Sequence, residues 1–192
     1  AGLVSGMGTT DFAAHSIAVT AETIFYVPGY GLRSAASTLI GNARGEGNKK
    51  KLKTVGILSV LLTVAVMCVS GLVLFFGAHL LMSLFTPSRP VVDLGAEMLR
   101  LVALSEPFFG LMVVLEGIFY GLGRTRYSFI VETVGMWCIR ILFTFLCVRY
   151  WGLGLKAVWY CMIADNVCKA ILFAVPFLWK KSRVRQWLEQ VN

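Results

Sequence analysis

Charged residues are scarce in this sequence, and the common signatures of catalysis are absent. Only 15% of the 192 residues are charged, against about 25% in an average soluble domain. The chain contains no GxSxG, HExxH or phosphate-binding glycine loop. Its two histidines and five cysteines lack the spacing of a metal site or a CxxC pair. We therefore expect no enzyme activity, no metal site, and cysteines that are small, buried and reduced.

Apolar residues are abundant instead, and they are gathered into long blocks. They make up 57% of the chain, and the mean hydropathy is +0.75. A helix needs roughly 20 apolar residues to cross a bilayer. Blocks of that length occupy residues 12–43, 54–85, 91–122, 127–150 and 155–179, separated by turns rich in glycine, proline or lysine. The predicted fold is all-α, a polytopic membrane bundle of five transmembrane helices.

Basic residues mark one side of this predicted bundle. The net charge is +8, and the lysines and arginines concentrate in the 41–53 loop, the 121–126 turn and the tail at 180–192. Cytoplasmic loops of membrane proteins carry such an excess. The pattern predicts that the C-terminal tail is cytoplasmic. The expected location is the plasma membrane, here a bacterial inner membrane, with the bundle in contact with lipid. A nucleic acid partner is not expected, because no basic face with stacking aromatic residues lies outside the apolar blocks.

Proline and glycine indicate where the helices bend and where they approach one another. Pro28 lies in the first block and Pro107 in the third. Proline removes a backbone hydrogen bond and clashes with the preceding turn, so each predicts a kink. The glycines at 110, 117, 121 and 123 allow close contact between helices.

Ionisable residues inside the apolar blocks are the main functional candidates, because a charge in hydrocarbon is costly. Glu22 and Glu116 lie within the first and third blocks, and either carboxylate could bind a proton or Na⁺ and release it. The alternative for each is a structural contact with a neighbouring helix. Asp165 and Lys169 have the i, i+4 spacing of a salt bridge, which favours a structural ion pair.

Other charged residues inside the blocks are assigned supporting roles. Arg33 is expected to be structural, either paired or extended toward the interface. Glu106 could be a second carboxylate for Glu116, although ten residues place the two at different depths. Glu132 and Arg140 lie on roughly one face of the fourth block, too far apart to bond each other, so each is expected to meet another helix.

Two segments resemble the multidrug and toxic compound extrusion family. AAHSIAVTAETIFYVPGYGLRSAASTLIGNARGEGN, at 13–48, carries that family's AAH, PG, ASTL and GxG steps, and PFFGLMVVLEGIFYGLGRTR, at 107–126, resembles its glycine-rich segment. The resemblance covers essentially the whole chain. It implies helices 8–12 of a twelve-helix transporter, without the seventh helix and the N-terminal lobe. The opening AGLVSGMGTTD, which does not start with Met, also suggests a C-terminal piece of a longer protein.

The resemblance implies an antiporter that exports organic cations, drugs or amphipathic compounds. Na⁺ or H⁺ would be the coupling ion, and no other cofactor is expected. Glu22 matches a position where some members of the family are acidic. Many members carry an acidic residue where Phe109 stands here, two turns before Glu116 on nearly the same face, so Glu116 is the candidate substitute. Phe109, Tyr30 and Met112 are the candidate residues of the substrate cavity.

Two alternatives to a drug exporter stay open at this point. A lipid-linked-oligosaccharide flippase of related fold would need a cationic cavity for pyrophosphate, for which Arg33 and Arg140 are the candidates. The other alternative is a membrane module without transport activity.

Overall fold

The computed structural model describes residues 8–149 and 154–178, which are almost entirely helical. The predicted tail at 180–192 lies outside the described residues, as do the last positions of the fourth and fifth blocks, Tyr150 and Trp179. The elements are α1 (Thr9–Gly45), α2 (Lys49–Phe85), α3 (Arg89–Ala103), α4 (Glu106–Gly121), α5 (Thr125–Val134), a π-helix (Gly135–Phe143), α6 (Thr144–Arg149) and α7 (Leu155–Leu178).

Four of the five apolar blocks each correspond to one helical rod, and the third corresponds to the two helices α3 and α4. α5, the π-helix and α6 follow one another directly and form the fourth rod. The largest difference from the predicted boundaries is at α2, which begins at Lys49 rather than at residue 54. Asn48 caps this helix by accepting a hydrogen bond from the Lys51 amide, and such a cap stabilises the polar first turn.

Length and composition support a membrane location for most of these rods. α2, the span Thr125–Cys147 and α7 are long and apolar enough to cross a membrane, and α3 with α4 would form a fourth, bent span. α1 has 37 residues but does not meet the same test among the described helices. Its interior carries Glu22 and Arg33 and many small residues, and its buried face packs on α2, α3 and α4.

The third predicted helix is in fact two helices. α3 and α4 are bent by 53° at a break at Leu104 and Ser105. Pro107 lies in the first turn of α4, where its missing N–H loses no helical bond. It therefore starts a new helix rather than kinking a continuous one. α1, in contrast, continues through Pro28 without a break in the helix.

The apolar interior consists of two clusters stacked along the bundle. The α3-side cluster joins the first half of α1, the second half of α2, α3 and the start of α7 around Trp159. The α4-side cluster joins the second half of α1, the first half of α2, α4 and the end of α7 around Phe119 and Phe173. Polar side chains between the two clusters therefore lie near mid-depth.

Glycine brings α4 into backbone contact with its neighbours. A Cβ at Gly117 would lie 2.5 Å from the carbonyl oxygen of Arg33, and a Cβ at Gly121 would lie 2.5 Å from that of Ser37. Gly110 faces α2, where a Cβ would lie 2.7 Å from the Met67 Cγ and 3.4 Å from the Thr63 carbonyl oxygen. The close approach predicted from these glycines is confirmed, and it fixes α1 against α4 along what we call the α1–α4 seam.

The outer surface of the bundle is apolar, as lipid contact requires. Phe76, Leu84 and Phe129 are each at least 70% exposed. Cys68 and Cys138 are exposed as well. The prediction that all five cysteines are buried is wrong for these two, because a thiol is apolar enough to face hydrocarbon.

Candidate functional site

Two carboxylates are buried at the boundary between the two apolar clusters. Glu22 is 1% exposed and Glu106 is 0% exposed. Glu22 directly follows Ala21 of the α3-side cluster, and Glu106 lies between Ala103 of that cluster and Phe109 of the α4-side cluster. Tyr26 links them, because its hydroxyl bonds Glu22 and its ring stacks on Phe109, three residues after Glu106. They form an acidic pair near mid-depth, where many transporters place their ion sites.

Glu106 is the first residue of α4, immediately after the break. Neither of its carboxylate oxygens has a hydrogen-bond partner among the described residues. Gly71 lets α2 approach this point, since a Cβ there would lie 2.7 Å from the Ala103 carbonyl oxygen and 3.1 Å from the Glu106 Cβ. A helix start favours negative charge, and the end of a helix leaves carbonyl oxygens without helical partners. The break therefore combines acidic and carbonyl oxygens, the ligand type suited to a hard cation.

Glu22 is held by aromatic residues of its own helix and of α4. It accepts a hydrogen bond from the Tyr26 hydroxyl one turn later. The Tyr26 ring stacks on Phe109, with centroids 4.0 Å apart and planes 22° apart. Arg140 is close enough to interact electrostatically with Glu22, although no direct ion pair joins them. In the described ranges no three His, Cys, Asp or Glu side chains gather as metal ligands.

Glu116 lies further along α4 and is already paired. Arg33 Nη1 donates to its Oε2 at 2.8 Å, and the Tyr120 hydroxyl donates to its Oε1 at 2.6 Å. The Glu116 side chain is 6% exposed and that of Arg33 is 33% exposed. The Arg33 guanidinium also lies 5.0 Å from the centroid of the Tyr30 ring. The charge of Glu116 is therefore balanced in this conformation.

The structure groups the acidic candidates differently from the sequence analysis. Glu106 was considered as a second carboxylate for Glu116 at a different depth, but it lies on the Glu22 side of α4, next to the Tyr26–Phe109 stack. Glu116 instead joins Arg33, which bridges α1 and α4. Helical spacing could not reveal this grouping, because it relates residues within one helix, whereas Glu22 and Arg33 lie on α1 and Glu106 and Glu116 on α4. The unpartnered acid Glu106 is the residue that the sequence analysis undervalued.

The three candidate cavity residues do not share one environment. Tyr30 is 43% exposed, whereas Phe109 is 3% and Met112 is 7% exposed. Phe109 and Met112 belong to the packed α4-side cluster. They are therefore not open cavity walls in this structure, because close packing in the cluster covers them. Phe109 orders Tyr26 by stacking and meets Tyr30 edge-on at 5.7 Å.

A second set of charges, which we call the α7 charge cluster, comprises Glu132, Arg140, Asp165 and Lys169. Lys169 Nζ lies 3.1 Å from Asp165 Oδ2 and 2.9 Å from Glu132 Oε2, and Arg140 Nη1 lies 3.9 Å from Asp165 Oδ2. The expected contact of Asp165 with Lys169 is thus present, and Glu132 and Arg140 each meet another helix, as predicted. Gly135 makes room for the Lys169 stem, which a Cβ there would overlap. Two acids and two bases leave this cluster balanced.

Comparisons with known proteins agree with this architecture. The MatE family model matches residues 1–146. Over 184 residues the chain is 29% identical to a probable multidrug resistance protein NorM of Thermotoga maritima, covering 92% of this chain and 39% of that protein. Over 179 residues it is 26% identical to human multidrug and toxin extrusion protein 1, covering 92% of this chain and 31% of that protein.

A solved structure gives the same result for the fold. The eukaryotic MATE transporter AtDTX14 matches with a TM-score of 0.84 at 20% identity, over 95% of this chain and 40% of that one.

This chain spans 39% and 40% of the length of two curated NorM relatives. Relatives named for multidrug resistance and extrusion do not favour the flippase alternative. The match over most of its length shows that this chain belongs to the MatE family.

Proposed function

We propose that this chain is the C-terminal part of an antiporter that exports organic cations, drugs or amphipathic compounds in exchange for Na⁺ or H⁺. The carrier would work in the plasma membrane of a bacterium together with an N-terminal lobe. The basic 41–53 loop and the C-terminal tail would face the cytoplasm. The observation that carries the proposal is the acidic pair Glu22 and Glu106, buried at mid-depth beside a broken helix.

The acidic pair suits ion coupling because it is unstable without a cation. A bare carboxylate in a bundle interior costs several kcal/mol, and a second carboxylate nearby adds repulsion. Both penalties disappear when a proton or Na⁺ binds. The Ala103 carbonyl oxygen lies against Gly71 beside Glu106 and could supply a further Na⁺ ligand, whereas a shared proton would need none. The bundle would therefore release the cation only when water reaches Glu22 and Glu106.

Glu116 fits a different step of the same cycle. Arg33 and Tyr120 satisfy its carboxylate in this conformation, so it could take a cation only after α1 had moved away from α4. We infer that this ion pair stabilises the closed α1–α4 seam. Glu116 would couple transport directly only if the seam opened during the cycle.

Tyr30 is the residue of α1 best placed to meet an organic cation. Its ring is 43% exposed, and the Arg33 guanidinium already lies 5.0 Å from the ring centroid. An aromatic face that holds one cation can hold another of similar size. A cationic substrate and the coupling ion would then be drawn to neighbouring parts of the same interior.

The test uses the full-length protein in proteoliposomes, with ethidium efflux followed under an imposed Na⁺ or H⁺ gradient. Glu22→Gln and Glu106→Gln should each reduce gradient-driven efflux at least tenfold, because the amide cannot bind the ion. The gradient that drives wild-type efflux distinguishes Na⁺ from H⁺. Glu97→Gln is the matched control, since Glu97 is half-exposed at an end of the bundle and pairs with Lys156.

Two results would count against this assignment. Wild-type coupling in both Glu22→Gln and Glu106→Gln would exclude the acidic pair as the ion site. Loss of coupling in Glu116→Gln alone would move the site to the carboxylate that faces Arg33.

A further inference from the structure

A groove on the side of the bundle lies apart from both charged clusters. It has a volume of about 410 Å³ and runs between α2 and α7, with α1 and α4 at its base. Its walls are aliphatic and aromatic, including Ile57, Leu61, Ile118 and Phe177. Among the described residues, Lys53 is the one charged residue in its lining. The groove therefore offers a long apolar surface with a single positive charge near one end.

Gly56 lines the groove and leaves space in it, because it has no side chain. A Cβ at this position would have only the Ile40 Cδ1 atom within 4 Å, at 3.8 Å. Ile57 is 51% exposed and Leu61 is 62% exposed, so the groove opens onto the apolar outer surface. At 1.5 Å per residue the stretch from Lys53 to Leu61 is about 12 Å long. These dimensions fit an extended hydrocarbon chain that lies along α2.

Lys53 gives the open groove a preference for negative charge. Its side chain is exposed, and it has no ion-pair partner in the part of the chain that the structure describes. Lys51 lies two residues before Lys53, and its Nζ already donates to the two carboxylate oxygens of Glu46, at 2.7 Å and 2.8 Å. A lysine at the end of a membrane helix can lay its stem on apolar surface and place its amine among lipid phosphates.

We propose that this groove binds one acyl chain of an anionic phospholipid, whose headgroup phosphate contacts Lys53. The occupant is taken from the bilayer because the groove opens beside Ile57 and Leu61, which belong to the exposed apolar surface of α2. The anionic headgroup follows from the unpaired Lys53 beside the basic 41–53 loop. This inference concerns the outer surface of the bundle and does not depend on the exported substrate.

The experiment uses the full-length protein, delipidated in detergent and offered phosphatidylglycerol and phosphatidylcholine in equal amounts. Retained lipid is counted by mass spectrometry. The wild type should retain phosphatidylglycerol preferentially. Lys53→Gln should lower this retention about fivefold, the factor that corresponds to ~1 kcal/mol for one basic residue near an anionic surface. Gly56→Leu should fill the groove and lower retention at least as much.

Two variants of α2 are matched controls. Gly77→Leu places the same side chain at another open glycine, where a Cβ would have only Leu81 Cδ1 within 4 Å, at 3.9 Å. Lys50→Gln removes the same charge outside the groove lining. Both should retain lipid like the wild type. Retention reduced equally in Gly56→Leu and Gly77→Leu would overturn the proposal.

A photoreactive residue at position 61 identifies the occupant directly. A lipid adduct in native membranes supports the proposal. A cross-link to another segment of the same chain, or to a second copy, overturns it, because a protein surface would then cover the groove. Equal retention of the two lipids by the wild type would also overturn the role of Lys53.

Discussion

Gly117→Ala tests the α1–α4 seam with the smallest possible perturbation, one methyl group. The new Cβ would lie 2.5 Å from the carbonyl oxygen of Arg33 and 2.9 Å from its Cγ. Cβ atoms in real proteins essentially never approach another atom within 3.0 Å. The nearest atom belongs to the backbone, so a change of side-chain rotamer cannot relieve the clash. α1 must move away from α4, and this movement stretches the 2.8 Å contact of Arg33 with Glu116.

The expected loss can be estimated from a comparison with Gly77→Ala. Forcing an extra methyl group into a packed interface costs about 1–3 kcal/mol. Alanine is also a better helix former than glycine by ~1 kcal/mol, which masks part of the loss in Gly117→Ala. Gly77→Ala gains the same propensity without a clash, since only Leu81 Cδ1, at 3.9 Å, is within 4 Å of its Cβ. The difference between the two variants should therefore be about 1–3 kcal/mol.

The assay is reversible unfolding of the full-length protein in mixed micelles of detergent and SDS. The midpoint should fall in Gly117→Ala and rise or stay unchanged in Gly77→Ala. Equal stability of the two variants, within about 0.5 kcal/mol, would refute the backbone contact. If Gly77→Ala also unfolded at a lower SDS concentration than the wild type, α2 would not tolerate a side chain at Gly77. Gly77→Ala would then not serve as a control for the seam.

Two further predictions use the same unfolding assay. Arg33→Gln should lower the free energy of unfolding by about 1–3 kcal/mol, because it leaves the buried Glu116 carboxylate with Tyr120 alone. Glu116→Gln should cost less, since Arg33 is one-third exposed and can reach water. Additive effects in the double variant would contradict the pairing. Lys169→Met should lower the free energy of unfolding by about 3–5 kcal/mol, since it leaves the fully buried Asp165 without its nearest base. Adding Asp165→Leu to the same variant should recover most of the loss. A Lys169→Met single variant as stable as the wild type would contradict this account.

Sequence patterns predicted the features that depend on local spacing. Long apolar blocks gave the helical membrane fold, because the bilayer sets the length of a helix. The i, i+4 spacing placed Asp165 beside Lys169, since residues one turn apart face the same side. The glycines at 117 and 121 indicated a close helix contact for an equally local reason, the absence of a Cβ.

Features that depend on the path of the chain could not be predicted. The break before Glu106 has a proline signal, but proline kinks some helices and starts others, and Pro28 does not interrupt α1. The neighbour of Glu22 was therefore not identifiable. The π-helix that begins at Gly135 has no sequence signature of its own. It is visible only in the backbone of the structure, where its first residue, Gly135, accommodates Lys169 from another helix.

Charge balance determines which buried group of this bundle is suited to a mobile cation. Glu116 has Arg33 as a permanent counter-charge, and the α7 charge cluster contains equal numbers of acids and bases. Within the described residues, no basic side chain lies within ion-pair distance of Glu22 or Glu106. A fixed guanidinium or ammonium would compete with Na⁺ or H⁺ for the carboxylate. Arg140 acts on Glu22 only without a direct ion pair, because its guanidinium is paired with Asp165, so the acidic pair is the group at which a transported ion meets the weakest competition among the described side chains.

This difference in charge balance predicts how stability and coupling should separate. Glu22→Gln removes one charge from an uncompensated pair and still allows the Tyr26 hydroxyl to donate to the amide oxygen. The variant should unfold at the same or a higher SDS concentration than the wild type while losing gradient-driven efflux. Glu116→Gln should show the opposite combination, a lower midpoint with coupling retained, because it breaks an ion pair that closes the seam. If Glu22→Gln lowered the midpoint as Glu116→Gln does, the carboxylate of Glu22 would be structural, and the ion site would have to be sought elsewhere.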